Sequence, residues 1–207
     1  MSIADRLASA LDRRDEAPNI ALAEEIAANS DTKAVTELIG LLTGGSRPAR
    51  HDAIKVLYET GGRNPALIAP HLDAFVGLLT TRDNRMLWGT LTALAAIAPH
   101  DPEAIVPYLE AILAAADNGS VIAKDKAMTI LLALAETSAH RKAAWPLVLA
   151  RLETAAPNQL PMYAEQAVPV GGPDGAALAE TLAARLGDMP TPAKRKRVEK
   201  VIRVLTG

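Results

Sequence analysis

Two twelve-residue stretches decide the fold: "NPALIAPHLDAF" at residues 64–75 and "DPEAIVPYLEAI" at residues 101–112. They begin 37 residues apart (101 − 64 = 37) and share two prolines, an isoleucine, a leucine and an alanine in the same order. A second set of segments repeats with the same spacing: "AIKVLYETG" from Ala53, "TLTALAAIA" from Thr90 and "AMTILLALA" from Ala127. Self-similarity at one fixed period is the signature of a repeat protein.

Each period contains two helical patterns, which we name helix A and helix B. Helix A begins with a polar capping residue followed by proline: Asn64-Pro65, Asp101-Pro102 and Thr191-Pro192. The capping side chain accepts hydrogen bonds from free N–H groups, and proline fits the first helical position. Helix B follows a short polar turn and carries apolar stripes at helical spacing: Leu87, Leu91, Leu94 and Ala98, then Met128, Leu131, Leu132 and Ala135.

The same pattern extends over most of the chain and predicts an all-α fold with about five helix pairs. The paired helices are expected to begin near residues 31 and 47, 64 and 84, 101 and 120, 138 and 159, and 176 and 192. "GGPDG", from Gly171, predicts a break before the last pair. Residues 1–30 predict one or two capping helices, with Ile3, Leu7 and Leu11 on one face. We therefore predict a capping segment at 1–30 and a single continuous repeat array at 31–207.

The inner prolines, Pro70 and Pro107, lie about a turn and a half beyond the first residue of helix A, where each removes a backbone hydrogen bond. Two prolines at the same position of the repeat predict a bend in helix A that contributes to the packing of the helices. This pattern resembles HEAT-repeat proteins, whose helix A often carries an internal proline kink. The residues that carry the resemblance are Pro65, Ile68, Pro70, Leu72 and Phe75, with Pro102, Ile105, Pro107, Leu109 and Ile112.

The resemblance extends over about residues 31–205 and implies a short right-handed α-solenoid with helix B on its concave side. One feature departs from the family. Many HEAT repeats have a ladder formed by an Asp in the loop and a basic residue further into helix B. Here Arg50, Leu87 and Lys124 align, so the ladder is incomplete.

The composition excludes several classes of protein. Apolar residues make up 49% of the chain, which predicts a folded protein. The absence of cysteine excludes disulfides, thiol catalysis and cysteine-ligated metal sites. The formal charge of −2 gives no overall bias toward nucleic acid. The charged N-terminus lacks a signal-peptide core, and no apolar run reaches the roughly 18 residues of a membrane span. We expect a cytoplasmic protein without membrane contact.

Catalytic and cofactor motifs are missing from the sequence. His51, His71, His100 and His140 show no i, i+4 spacing of a helical metal site. There is no nucleophile elbow, and "GGPDG" has no preceding strand or nearby Lys-Ser/Thr of a phosphate-binding loop. We expect no metal, no cofactor and no enzymatic activity. A chromophore-lyase-type activity, known for other HEAT-like repeats, would rest on the fold alone.

Some HEAT-like proteins are DNA glycosylases for alkylated bases, which need aromatic side chains to stack on a base and a carboxylate to stabilise the cationic sugar. Trp88 and Trp145 are followed one turn later by Thr92 and Leu149, so neither has an acid on its own face. An acid from another helix would restore this alternative.

The last helix, "AKRKRVEKVIR", is strongly basic, yet Val198, Val201, Ile202 and Leu205 give it an apolar stripe. We expect a docked helix with a basic outer face. It is either an end cap with cations near a helix C-terminus or a reader of phosphate, nucleic acid or an acidic partner.

The predicted function is a non-enzymatic scaffold that binds a protein or peptide on the concave helix B face. Off-core positions of helix B are Asp52, Lys55 and Glu59, then Gly89, Thr92 and Ala96, then Lys126, Thr129 and Ala133. Trp88 at the rim suits a binding hot spot. The alternative is nucleic-acid binding or base excision, which requires the cations to converge on one face. These cations are those of the basic last helix together with Arg47, Arg50, Lys55, Arg85, Lys124 and Lys126. The candidate binding residues are Arg50, Lys55, Arg85, Trp88, Thr92, Lys126, Thr129, Lys194, Arg195 and Arg197. The oligomeric state stays open.

Overall fold

The computed structural model describes residues 2–207. Among these residues no strand forms, and α- and 3₁₀-helices together account for 79% of the chain, so the predicted all-α fold is confirmed. The chain divides into two compact units, one ending at Ala127 and the other beginning at Met128. No helix within residues 2–207 combines the length and the apolar character that crossing a membrane requires.

The first unit is organised around α3. Its helices are α1 (Ala17–Asn29), α2 (Thr32–Gly44), α3 (Arg47–Arg63), α4 (Leu72–Val76), α5 (Asn84–Ile97), α6 (Pro102–Ile105), α7 (Leu109–Asp117) and the first part of α8 (Val121–Glu136). α3 packs against α1, α2 and α5. Ala53, Ile54, Val56 and Leu57 of α3 are accordingly all buried, and they form the centre of the core.

Helix B is capped at the same position in three successive repeats. Ser46 and Ser120 accept hydrogen bonds from the N–H groups of Ala49 and Ala123, each at 3.4 Å. Asp83, midway between them in sequence, accepts from the N–H of Arg85 at 3.0 Å. One core position recurs with the same period, because Leu57, Leu94 and Leu131 are all fully buried. The 37-residue repeat therefore exists in the structure and sets where each helix B begins.

The inner prolines interrupt helix A in both repeats, as predicted. Pro70 lies in a 3₁₀-helix at Ala69–His71, and Pro107 lies in one at Val106–Tyr108. Proline lacks an N–H and its ring clashes with the carbonyl four residues earlier, so a tighter 3₁₀ segment replaces the α-helical turn. Ile68 and Ile105, two residues before the prolines, are both fully buried. The bend thus occurs at an equivalent, anchored place in each repeat.

Two local predictions are wrong. The predicted capping helix through Leu7 and Leu11 does not form, because residues 2–16 contain only a 3₁₀-helix at Ala4–Arg6 followed by turns. Leu7 is buried, but Leu11 is 51% exposed. Asn64 was expected to cap helix A, yet within the described chain its side chain makes no capping bond. Helix A starts there as a 3₁₀-helix, and the Asn64 backbone also terminates α3.

The second unit contains the end of α8 and four further helices: α9 (Ser138–Thr154), α10 (Leu160–Gly171), α11 (Gly175–Ala184) and α12 (Pro192–Thr206). The predicted break at "GGPDG" is a 3₁₀-helix at Gly172–Asp174, where Gly172 has a positive φ of 48°. α12 packs against α10 and α11 and buries Val198 and Val201. The basic last helix is therefore docked, as its apolar stripe predicted.

Two arginines join helix ends in the second unit. The Arg141 guanidinium donates to three backbone carbonyls, those of Ala135, Val170 and Gly171, and pairs with Asp174 at 2.7 Å. The Arg185 guanidinium donates to the carbonyls of Leu152, Glu153 and Ala155 and pairs with Asp188. The last carbonyls of a helix lack intrahelical partners and carry partial negative charge. Each guanidinium therefore satisfies several of these groups at once.

Candidate binding face

Side chains of α3 and α5 form one polar and aromatic surface in the first unit, which we name the α3/α5 face. It consists of Lys55, Tyr58 and Glu59 from α3 and of Arg85, Trp88 and Thr92 from α5. Residues three or four positions apart lie on the same side of a helix, so each set is presented together. α3 and α5 pack directly against each other, which brings the two sets into one surface.

An aromatic pair occupies the middle of this face. The rings of Tyr58 and Trp88 are half-buried, with centroids 5.6 Å apart and an interplanar angle of 53°. Lys55 Nζ lies 4.9 Å from the centroid of the Tyr58 ring, within the range of a cation–π contact. Thr92 Oγ1 donates a hydrogen bond to the carbonyl oxygen of Trp88 at 2.8 Å. The Trp88 ring thus packs on Tyr58 and the Tyr58 ring packs on Lys55, while both aromatic residues remain partly exposed.

Asp52 and Lys55 were expected to face solvent as off-core residues of helix B, and this prediction is wrong. They are only 8% and 7% exposed. Asp52 accepts hydrogen bonds from the N–H of Ser9 at 2.7 Å and from the side-chain amide of Asn19 at 2.8 Å. Lys55 is paired with Glu16 at 2.9 Å. Residues 8–19 therefore cover the part of α3 that was predicted to be an open concave surface.

The charge on Lys55 is fixed by its neighbours. Burial opposes the charge, but the adjacent Tyr58, Glu59 and Glu16 groups outweigh it and raise the pKa of Lys55 above its usual value. Its Nζ lies 2.9 Å from a carboxylate oxygen of Glu16 and 2.9 Å from one of Glu59. Burial also raises the pKa of the Tyr58 phenol. Lys55 is therefore an ammonium that stabilises the face, and little of it is available to a ligand.

Most of the predicted cationic residues are paired with carboxylates. Arg85 contacts Glu16 at 2.9 Å in the first unit. On α12, Arg195 contacts Glu199 at 2.9 Å, and Arg197 contacts Glu165 through two nitrogens at 2.8 and 2.7 Å. Lys194 donates to the side-chain oxygen of Asn158. The positive charge that the sequence places on the last helix is thus partly neutralised.

The structure brings together four of the ten predicted site residues: Lys55, Arg85, Trp88 and Thr92. Arg50 is half-buried on α3, and its Nε has no hydrogen-bond partner within the described chain. Lys126 is half-buried and Thr129 is exposed on α8. Gly89 was expected in the open middle of the surface, but it is buried. A Cβ at this position would lie only 2.7 Å from Cγ1 of Ile54. Gly89 permits close packing of α5 on α3.

Sequence reasoning missed Tyr58 and Glu16, which are central to the face. Tyr58 lies three residues beyond Lys55, so the helical phase already placed it beside that lysine. Glu16 belongs to the segment that was assigned to a capping helix. No local pattern indicates that this segment crosses α3. Among residues 2–207, no group of three or more His, Asp or Glu side chains is arranged to hold a metal ion.

No protein-family model and no curated protein sequence matches the chain. The solved structures that are similar to it include two crystal structures of engineered proteins from the Northeast Structural Genomics Consortium. One has a TM-score of 0.63 at 20% identity and covers 100% of this chain and 97% of its own. The other has a TM-score of 0.62 at 20% identity and covers 100% of both chains. At this identity the likeness concerns the fold alone.

Proposed function

We propose that this protein is a HEAT-like α-solenoid and a non-enzymatic scaffold that binds a protein or peptide segment through the α3/α5 face. The proposal combines the repeat architecture with the aromatic pair on that face. A stack of short helix pairs supplies an extended surface formed by successive B helices. The repeated caps at Ser46, Asp83 and Ser120 and the repeated proline breaks support the HEAT-like assignment.

The observation that carries the proposal is the half-buried Tyr58–Trp88 pair. Tyrosine and tryptophan are enriched at binding hot spots because a rigid ring buries much area at little entropic cost. Both rings already pack against their neighbours, so binding a ligand would cost little side-chain entropy in ordering them. Arg85, one turn before Trp88, places a cation beside the rings. This arrangement suits a segment with an apolar side chain next to an acidic one.

The nucleic-acid alternative needs cations gathered on one face with few carboxylates among them, together with accessible aromatic rings. Arg85, Arg195 and Arg197 are each paired with a carboxylate instead. Trp145 is only 5% exposed, which leaves Trp88 as the tryptophan that a base would reach. The carboxylates beside the Tyr58–Trp88 pair, Glu16 and Glu59, are both ion-paired with Lys55, and each has a second cationic partner, Arg85 for Glu16 and Arg63 for Glu59. We therefore do not propose nucleic-acid binding or base excision.

Affinity capture with variants tests the proposal. Trp88→Ala removes the larger ring of the pair, and we expect it to lower the recovery of specific partners at least about tenfold, as for a hot-spot aromatic. Tyr108→Ala is the matched control, because Tyr108 is a half-buried aromatic of the same unit that lies outside the α3/α5 face and bonds to Asp73. Partners are quantified by mass spectrometry after the fold of each variant has been checked by circular dichroism.

Two results would count against the proposal. One is an unchanged set of partners for Trp88→Ala. The other is salt-sensitive binding of a short duplex DNA that disappears when Lys194, Arg195, Lys196 and Arg197 are neutralised, because that result would establish the nucleic-acid alternative.

A further inference from the structure

A second feature of the first unit is a cleft of about 390 Å³ beside the N-terminal end of α3, which we name the arginine cleft. Four arginines and a histidine line it: Arg13, Arg14, Arg47, Arg85 and His51. They come from the N-terminal segment, α3 and α5, so residues distant in sequence converge here. Such convergence of guanidinium groups is costly unless other charges compensate it.

The guanidinium groups in the cleft are only partly used. Arg13 contacts Asp15 through Nε alone, at 2.8 Å, and Arg47 contacts Asp83 through Nε alone, at 3.1 Å. Arg85 contacts Glu16 through one terminal nitrogen. Arg14 has no hydrogen bond or ion pair with any described residue. Each guanidinium has five N–H donors, so most donors around the cleft are free to bind a ligand.

Arg6, which lies outside the cleft, makes a two-nitrogen contact that Arg13, Arg47 and Arg85 lack. Arg6 binds Glu25 through both terminal nitrogens, at 2.9 and 2.6 Å, as a complete fork. The single contacts at Arg13, Arg47 and Arg85 hold each side chain near the cleft and leave the rest of its fork unoccupied. The cleft arginines are therefore positioned by carboxylates without being saturated by them.

The carboxylates of the cleft do not cancel this donor capacity. Both oxygens of Asp52 accept hydrogen bonds, from the Ser9 N–H and from Asn19. Both oxygens of Glu16 are used as well, one by Arg85 and one by Lys55. Both oxygens of Asp15, the third carboxylate in the lining, accept hydrogen bonds, one from Nε of Arg13 and one from the Ala17 N–H. An added anion would therefore find free N–H donors, while protein donors already occupy the oxygens of the lining carboxylates. The four arginines that line the cleft also outnumber its three carboxylates, Asp15, Glu16 and Asp52.

We propose that the arginine cleft binds the phosphate dianion of a phosphomonoester. Planar guanidinium forks match the spacing of phosphate oxygens, and the N-terminal end of the 17-residue helix α3 adds a partial positive charge at Pro48, which lines the cleft. The volume lies in the range of small-ligand sites, so the cleft accommodates the phosphate together with an attached organic group. That group belongs either to a small phosphorylated molecule or to a phosphorylated side chain. The cleft shares Arg85 with the α3/α5 face, but phosphate binding is proposed from the cleft alone and does not require the partner on that face.

Isothermal titration calorimetry of the full chain tests the inference, with methyl phosphate as the first probe and methyl sulfate, a monoanion of similar shape, as its control. We expect methyl phosphate to bind and methyl sulfate to bind at least about tenfold more weakly, because charge-assisted bonds strengthen with ligand charge. A blocked pentapeptide with a central phosphoserine then distinguishes the two sources. Tighter binding of the peptide assigns the site to a phosphorylated side chain, and tighter binding of methyl phosphate assigns it to a small molecule.

Variants locate the site. Arg14→Gln/Arg47→Gln is expected to weaken phosphate binding about tenfold or more. The control Arg82→Gln/Lys142→Gln removes two exposed cations outside the cleft and should change affinity less than about twofold. Arg14→Gln alone keeps the test valid if the double variant unfolds, since the Arg14 side chain makes no hydrogen bond or ion pair within residues 2–207. The inference is overturned if neither phosphate probe binds, if methyl sulfate binds as well as methyl phosphate, or if the control weakens binding equally.

Discussion

The two units of this chain use polar side chains in different places, buried ones in the first unit and half-buried ones in the second. In the first unit they lie on helix faces, where Asp52 and Lys55 of α3 are joined to the segment that precedes α1. In the second unit they lie at helix ends, where Arg141 and Arg185 each gather three backbone carbonyls. Both arrangements satisfy groups that would otherwise be desolvated without partners.

The difference bears on function. The polar side chains at the helix ends are fully used within the fold, because backbone carbonyls and the Asp174 carboxylate occupy nearly all the N–H donors of Arg141. The polar side chains on the helix faces of the first unit leave their neighbours partly exposed, as in the Tyr58–Trp88 pair and the arginine cleft. Both proposed binding sites therefore lie in the first unit, whereas Arg141 and Arg185 of the second unit are structural.

The apolar cores should respond alike in both units, since the repeat places Leu94 and Leu131 at equivalent, fully buried positions. Leu94→Ala and Leu131→Ala should each lower the free energy of unfolding by about 2–5 kcal/mol through the cavity left behind. Leu11→Ala, at a 51% exposed leucine, should change it by less than about 0.5 kcal/mol. Chemical denaturation measures all three. A loss below about 0.5 kcal/mol at Leu131 would contradict the assigned phase of α8.

The second-largest effect on the free energy of unfolding is expected at Arg141, which joins helix ends in the second unit. Arg141→Met keeps the aliphatic stem but removes donors to three carbonyls, so unfolding should become easier by about 2–3 kcal/mol. Lys142→Met, at the exposed neighbouring position, is the control. Equal and small effects of the two substitutions would show that the helix ends of the second unit do not depend on Arg141.

The corresponding test in the first unit is Asp52→Ala. It leaves the Ser9 N–H and the Asn19 amide without their acceptor, which should cost about 1–3 kcal/mol. Hydrogen exchange of residues 8–16 should also become faster, because this segment loses its bond to α3. If exchange changes only in the second unit, the assignment of Asp52 as the anchor of the N-terminal segment is wrong.

The smallest expected effect is a pH dependence at Asp83. Burial raises its pKa, but hydrogen bonds from His51, the Met86 N–H and Arg47 outweigh burial and lower the pKa to about 2. The pKa is thus below its unfolded value of about 3.9, so Asp83 stabilises the fold above that pH, and this stabilisation is lost as pH falls toward 2. Solvent screening limits the change to about 1 kcal/mol.

Asp83→Asn retains an acceptor for capping α5 but cannot ionise, so its stability should fall less than that of the wild type between about pH 4 and pH 2. Asp101→Asn is the control, because Asp101 caps α6 and has no cationic partner among the described residues. If the wild type and Asp83→Asn lose stability equally as the pH falls, ionisation of Asp83 does not stabilise the fold.

The repeat made much of the fold predictable. Local signals decide where α3, α5 and α12 begin, since a capping residue or proline precedes an apolar stripe in each case. The same signals failed at residues 2–16, where the apolar spacing of Leu7 and Leu11 is helical but the chain forms turns instead. Leu7 is buried and Leu11 is not, so tertiary contacts rather than periodicity determine this segment.

The candidate site was less predictable than the fold. Trp88 and Thr92 were found because helical phase separates core positions from off-core positions. Lys55 was predicted as an off-core residue, but it is buried beside Glu16, whose path across α3 has no local sequence signal. The arginine cleft was missed for the same reason, because Arg13 and Arg14 reach α3 only through that path. Contacts between distant segments are what a single sequence does not encode locally.

The central claim is that a partner binds on the α3/α5 face of the first unit. Site-specific photo-crosslinking tests it most directly, with p-benzoylphenylalanine placed at Thr92 beside Trp88 and, as a control, at exposed Lys142 of α9. We expect a discrete protein adduct from position 92 that disappears when Trp88→Ala is added, and none of comparable yield from position 142. An adduct from position 142 without one from position 92 would contradict the account.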